Sequence, residues 1–233
     1  MKLAPCLCVI VATSTATSLA GAQAREGERP AYVSPLGAPR DALELSLASG
    51  YAQGFGSLQS GVGLPSVATG GLALDLGIGY RIDPTWAVLW GGEYQALSPE
   101  RTDQAQGFSS SIAAQVHFRP AQRLDPWAEA GAGYRFLWES PTDGPTLRTH
   151  GFQLARVRVG LDWRADRHVA LGPVVGADVN LFLFQDFGGN ASNIPEPRAS
   201  SFFFAGVQGR IDIGGGSAAS RALAARRPGG ETF

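Results

Sequence analysis

Acidic and arginine side chains recur in this sequence at alternating positions, and their types allow two kinds of chemistry. Opposed charges held inside a protein could pair with one another, or arginines could exchange acidic partners and open a path. The charged positions that we assign to one inward face are Glu44, Asp75, Arg81, Glu93, Glu129, Arg135, Arg156, Arg158, Asp162, Asp178, Arg210 and Asp212. We interpret them as an ion-paired polar interior, with a gated pore as the alternative.

Other reactive groups in the chain are scattered or absent. The histidines, His117, His150 and His168, have no metal-ligand spacing with acids beside them, so we predict no metal site and no cofactor. Both cysteines, Cys6 and Cys8, lie within the predicted leader. The mature chain would then have no thiol chemistry and no disulfide. The formal net charge of −1 gives no reason to expect a nucleic-acid partner.

The spacing of apolar residues shows which elements must hold these charges. Between 72 and 81, one face carries Leu72, Leu74, Leu76, Ile78 and Tyr80, and the other carries Ala73, Asp75, Gly77, Gly79 and Arg81. A period of two indicates a β-strand, because successive side chains of a strand point to opposite faces. A helix would scatter the same leucines around its circumference.

The same pattern predicts an all-β fold, an eight-stranded antiparallel up-and-down transmembrane β-barrel. Strands are predicted near 42–54, 69–82, 85–97, 107–119, 126–138, 151–164, 168–184 and 200–213. Short turns alternate with longer polar connections near 55–68, 98–106, 139–150 and 185–199. Outer-membrane barrels keep short turns in the periplasm and long loops outside, so both chain ends are predicted to be periplasmic.

Aromatic residues sort to the two ends of the predicted strands. Tyr80, Trp86, Phe118 and Trp163 lie near the short turns, whereas Tyr51, Tyr94, Phe108, Phe136, Trp138 and Phe203 lie near the long loops. Two such belts are typical of proteins whose apolar outer face meets lipid, because aromatic rings favour the boundary between lipid and water.

The two ends of the chain differ from the predicted barrel in their sequence pattern. Residues 1–24 read as a cleaved signal peptide, with Lys2, an apolar run and a final Ala-Gln-Ala, which implies export through the inner membrane. We interpret residues 25–40 as a flexible periplasmic lead-in and residues 41–213 as the barrel. We expect residues 214–233 to form a disordered periplasmic tail. Only 17% of residues are charged, against about 25% in soluble domains.

This combination of alternation, strand number, loop asymmetry and leader resembles the small eight-stranded outer-membrane proteins, the group with the OmpA membrane domain and OmpX. The resemblance implies an outer-membrane location, contact with outer-membrane lipid and lipopolysaccharide, and insertion by the barrel assembly machinery. Because no constellation in the sequence is typical of an enzyme active site, we expect a non-enzymatic role, structural or based on interactions of the surface loops. One departure is that about 20 residues follow the last predicted strand. No motif identifies an extracellular partner.

Three alternatives remain beside that interpretation. A narrow channel for small or hydrophobic solutes, as in OmpW-like proteins, would need an open or apolar lumen. A soluble secreted barrel of the lipocalin kind would turn its apolar face inward and its charged face outward. Lipid A deacylases of this architecture carry a His-x-Ser pair, and none of the three histidines here is followed by that pattern.

Overall fold

The computed structural model describes residues 36–98, 104–141 and 144–216. The predicted leader, most of the lead-in and the tail beyond Gly216 lie outside the described residues. The elements are β1 (Arg40–Gln59), β2 (Val62–Gly63), a 3₁₀ helix (Leu64–Ser66), β3 (Gly70–Arg81), β4 (Trp86–Ser98), β5 (Gln104–His117), β6 (Leu124–Ser140), β7 (Leu147–Arg164), β8 (Val169–Phe187), β9 (Asn190–Asn193) and β10 (Ala199–Gly216). None of the helical structure in these three ranges is long and apolar enough to cross a membrane.

The long strands form a closed antiparallel barrel. Each of β1, β3, β4, β5, β6, β7 and β8 pairs with the next long strand, and β10 pairs with both β8 and β1. Along the closing seam, Leu45 is opposite Ile211. Because every long strand has two neighbours, the barrel leaves none of its long edges unpaired. The predicted eight-stranded up-and-down topology is therefore confirmed.

Burial alternates along the strands with the apolar residues outside. Leu76 is 63% exposed and Val157 is 50% exposed, whereas Asp75 is 4% exposed and Arg81 is fully buried. A soluble protein shows the opposite arrangement, because its strands turn their apolar face toward a core. The lipocalin-like alternative is therefore wrong for this chain, since it requires the charged face to be outside.

Several elements differ from the predicted boundaries. β1 continues to Gln59 and β7 begins at Leu147, so pairing extends into segments predicted as loops. Backbone ladders need no apolar side chains, and the alternation signal fades where the strands leave the apolar band. β2, the 3₁₀ helix and β9 were not predicted. β10 ends at Gly216, three residues beyond the predicted end of the barrel at Ile213.

A bulge in β7 changes which residues face inward. Gln153 and Arg156 are both buried, although residues three positions apart lie on opposite faces of a regular strand. The β7–β8 register shifts between Gln153 and Ala155. A β-bulge inserts one extra residue into one strand and so reverses the alternation beyond it. As a result, His150 lies on the outer face while Arg156 and Arg158 face the interior.

An apolar cluster fills the interior at the end of the barrel that carries the long connections, which we call the loop end. The opposite end, with the short connections at 82–85, 118–123 and 165–168, is the turn end. This loop-end plug consists of Leu58, Leu64, Val67, Ala68, Leu97, Ala105, Leu137, Phe182, Ile194 and Phe202. Leu64 belongs to the 3₁₀ helix and is fully buried. The β1–β3 connection therefore folds back into the barrel mouth.

Candidate functional site

The structure places all twelve of the charged residues assigned to the inward face inside the barrel, where each is less than 9% exposed. They form two clusters, and two buried partners that the sequence interpretation did not include, Asp125 and Arg164, join the set. The turn-end cluster contains Glu44, Arg81, Asp125, Asp162, Arg164, Arg210 and Asp212. The middle cluster contains Asp75, Glu93, Glu129, Arg135, Arg156, Arg158 and Asp178.

In the turn-end cluster, acids and arginines alternate as links of a chain. Arg210 pairs with Asp162 at 2.7 Å and with Glu44 at 2.8 Å. Arg81 then joins Glu44 at 2.7 Å to Asp212 at 3.1 Å. Arg164 continues from Asp212 to Asp125, each at 3.5 Å. Every arginine thus bridges two carboxylates, and four acids face three arginines.

The middle cluster repeats this alternation. Arg156 donates hydrogen bonds to Glu129 at 3.2 Å and to Asp75 at 2.9 Å. Arg158 pairs with Asp75 at 3.3 Å and also with Glu93. Arg135 links Glu93 at 3.2 Å to Asp178 at 3.5 Å. This chain also begins and ends on a carboxylate, so each cluster has one acid more than it has arginines.

Three aromatic side chains face inward and support the arginines. The guanidinium carbon of Arg135 lies 4.1 Å from the ring centre of Phe202, and that of Arg158 lies 4.7 Å from Phe204. Trp127 lies 5.1 Å from Arg210. Ring faces attract such cations, and the attraction is stronger away from water. The sequence interpretation did not place these rings in the interior, although each shares the alternation of charged neighbours on its own strand.

His117 lies at the turn end with both ring nitrogens engaged. Its Nδ1 is 2.8 Å from a carboxylate oxygen of Asp125. Its Nε2 is 2.9 Å from Nη1 of Arg210 and 3.3 Å from Nη2 of Arg81. Because arginines are always donors, Nε2 accepts and Nδ1 donates to Asp125. An aspartate–histidine pair could activate a serine, but here Nε2 faces guanidinium groups instead of a hydroxyl.

The same corner contains a geometric candidate for a metal site. Ligand atoms of His117, Asp125 and Asp162 all lie within 4.8 Å of one another. These atoms already serve protein donors, since Asp162 also accepts the indole N–H of Trp127 at 2.9 Å. Guanidinium groups next to all three residues repel a further cation. The donor set therefore does not fit a metal ion.

A narrow cavity lies among the charged side chains of the interior. Among the described residues, Ser46, Asp75, Ser111, Glu129, Arg156 and Gln208 contribute to the lining of a cavity of about 10 Å³ between β1, β3–β7 and β10. That volume corresponds to about one water molecule. Two glycines make room for the large side chains, because a Cβ at Gly160 would collide with the ring of Trp127 and one at Gly176 with Cγ of Arg158, at 2.6 Å.

Comparison with known proteins supports the fold. No family model matches the sequence, and no curated protein matches it. Among solved structures, the chain is similar to Neisserial surface protein A, with 13% identity, a TM-score of 0.52, and coverage of 72% of this chain and 96% of that one. It is also similar to outer membrane protein AlkL, solved in lipid bilayers, with 14% identity, a TM-score of 0.50, and coverage of 83% and 99%. The chain thus has the fold of small eight-stranded outer-membrane barrels.

Proposed function

We propose that this chain, with the fold of small outer-membrane barrels and an interior filled by ion pairs, is a non-enzymatic integral protein of the outer membrane. It acts as a sealed scaffold, that is, a barrel without an open channel. Its loops lie at the cell surface, and its apolar outer face contacts lipid. Its partners in this role are outer-membrane lipid and lipopolysaccharide, and the barrel assembly machinery during insertion. The predicted signal peptide, residues 1–24, provides the export step.

The observation that carries this proposal is the filled interior. Two alternating ion-pair clusters occupy the turn end and the middle of the barrel, and the loop-end plug closes the other mouth. An eight-stranded barrel encloses a space just wide enough for side chains. Exposed apolar residues around the wall, such as Leu76 and Ile112 at 63% and 65% exposure, match a lipid environment.

The second candidate is a narrow channel for small or hydrophobic solutes. One observation favours it: part of the loop-end plug comes from a connecting segment, the 3₁₀ helix with Leu64, rather than from the barrel wall. Connecting segments move more readily than paired strands. Even so, removal of this segment would leave both charged clusters across the path, so the sealed scaffold fits the geometry better.

Conductance and solute uptake by purified monomer distinguish the two candidates. We expect stable insertion into lipid bilayers with at most brief, low-level current, and no uptake of sugars or a small hydrocarbon by vesicles. A general porin in the same lipids serves as the positive control. Steady current near the level of that porin, or solute uptake that exceeds protein-free vesicles, would overturn the sealed scaffold in favour of the channel.

A further inference from the structure

A groove runs along the outer face of the barrel at the loop end, across β4, β5 and β6. Its volume is about 400 Å³, and it is lined by Tyr94, Gln106, Phe108, Trp138, Ser140 and Thr146. We call this surface the rim groove. It combines aromatic faces with amide and hydroxyl groups, and the hydroxyls of Ser140 and Thr146 are 3.3 Å apart. The volume lies within the range of small-molecule sites, about 300–1,000 Å³.

An exposed arginine stands next to the groove on β7. The guanidinium carbon of Arg148 lies 4.7 Å from the ring centre of Phe136 and 5.8 Å from that of Trp138. These two rings are stacked with centres 5.7 Å apart, so they form a flat support for the cation. Trp138 is the register partner of Arg148 and also lines the groove, which places the two features side by side.

The charge of Arg148 is not neutralised by an ion pair with any acid of the described residues, whereas the interior arginines all have such pairs. The acid opposite it in register is Asp186 on β8. One oxygen of that carboxylate accepts the backbone N–H of Gly189 at 3.0 Å, which ties it to the β8–β9 turn. Among the described residues, Arg148 is therefore a cation on an aromatic support with which no acid forms an ion pair.

We propose that the rim groove and Arg148 bind the phosphorylated sugar headgroup of an outer-leaflet glycolipid. The aromatic residues pack against the apolar faces of the sugar rings, and Gln106, Ser140 and Thr146 exchange hydrogen bonds with sugar hydroxyls. Arg148 binds a phosphate, for which its forked donors are well suited. The acyl chains continue along the apolar wall below.

The lining favours a glycolipid over other occupants. A phospholipid would satisfy Arg148 but has no ring to cover Trp138 and Tyr94. A free anion would leave the groove empty. The groove opens on the same outward face that carries the aromatic belt, at the depth where lipid headgroups meet water. The inference rests on the proposed outer-membrane function and assigns a binding site to the glycolipid among its proposed partners.

Binding to four probes tests the proposal. The full chain without its predicted leader is refolded in detergent and titrated with a bisphosphorylated glucosamine-disaccharide lipid, its dephosphorylated form, phosphatidylglycerol and inorganic phosphate, with native mass spectrometry as the readout. The bisphosphorylated lipid should bind tightest. Arg148→Gln should weaken that binding about tenfold. The same substitution should not change binding of the dephosphorylated lipid.

Arg123 offers a matched control at the turn end, because its guanidinium carbon also lies over an aromatic ring, 5.7 Å from the centre of Trp163. Arg123→Gln should leave binding unchanged, and Gln106→Ala should weaken the sugar-containing probes alone. Unaltered binding in Arg148→Gln would overturn the proposal, and so would equal losses in both arginine variants. Phosphatidylglycerol or phosphate binding as tightly as the glycolipid would overturn the role of the sugar. Failure of the parent to insert into bilayers would instead contradict the proposed function.

Discussion

Glu93 and Asp178 share one arginine, but only Glu93 has a second. Arg135 lies 3.2 Å from the Glu93 carboxylate and 3.5 Å from that of Asp178, and Glu93 also pairs with Arg158. Asp178 is thus a terminal acid of the middle cluster, and Glu93 is an internal one. Because the cluster has one acid more than it has arginines, the two positions should respond differently to neutralisation.

We expect Glu93→Gln to lower the free energy of unfolding by about 3–5 kcal/mol, because it leaves two buried arginines short of a carboxylate. Asp178→Asn should cost less than about 1 kcal/mol, since it leaves three acids facing three arginines. Urea unfolding of each variant in lipid vesicles, followed by tryptophan fluorescence, measures both. Equal losses would show that the order of residues within the cluster does not determine its stability.

Val157→Arg should impair insertion and destabilise the barrel. Val157 is half exposed on the outer face, in register with Ala130 and Ala177 on the neighbouring strands. An arginine facing the middle of a bilayer costs about 2–4 kcal/mol in a membrane barrel. Val157→Leu is the matched control and should behave like the parent. An arginine variant that inserts and unfolds as the parent does would show that this face does not contact lipid.

Single cysteines test the topology, on a background with Cys6 and Cys8 replaced. Ala191 lies in β9 at the loop end, and Ala121 lies in the turn between β5 and β6. Both side chains are exposed. An impermeant maleimide applied to intact cells should label Ala191→Cys and not Ala121→Cys, because long loops of such barrels face outward. The reverse pattern in assembled protein would show that the barrel inserts the other way round.

Gly160→Ala should destabilise the barrel by about 1–3 kcal/mol, because the added methyl group would collide with the buried ring of Trp127. Gly209→Ala adds the same group on β10, where the nearest atom to the new Cβ is a leucine methyl at 3.8 Å. That control should unfold like the parent in the same urea titration. A stable Gly160→Ala would indicate that Trp127 moves freely in the interior.

Asp166 should contribute to stability only above acidic pH. It accepts the backbone N–H groups of His168 at 2.6 Å and Val169 at 2.9 Å, and these bonds hold its pKa below the usual value. A lowered folded pKa stabilises the fold above the unfolded pKa, and the benefit is lost as pH falls below about 4. Asp166→Ala should therefore reduce the fall in the free energy of unfolding at acidic pH. Asp166→Asn keeps a hydrogen-bond acceptor but has no carboxyl group to titrate. An unchanged fall in Asp166→Ala would contradict this.

Alternation alone was enough to predict the barrel and the inward position of all twelve charged residues. It failed where the alternation is interrupted. Asp125 directly precedes the strand predicted at 126–138, yet it is the second residue of β6 and fully buried. Arg164 is the last residue of β7 and lies two positions after Asp162 on the same inward face, but the sequence interpretation ended at Asp162.

The partners of each charge could not be predicted either. Pairing depends on the register between strands far apart in sequence, and a one-residue change reverses every face. No glycine or proline at the bulged residues near Gln153 indicates the bulge in the sequence. The bulge nevertheless determines which side chains of β7 pair with Asp75 and Glu93. The loop-end plug was missed for a related reason: six of its ten residues, among them Leu58, Leu64 and Ile194, lie in connections that the sequence analysis interprets as polar loops.

The seam between β1 and β10 has a kinetic consequence. Its native pairs, such as Leu45 with Ile211, join the first and last strands of the barrel, so none of them can form before β10 has been synthesised. Contacts between residues so distant in sequence make folding slow. Until that seam closes, both outer strands present unpaired backbone and the apolar wall has no lipid around it. Under the proposed outer-membrane function, we therefore expect the chain to cross the periplasm unfolded and protected from aggregation. Truncation within β10 should yield a species that is degraded there rather than a smaller barrel.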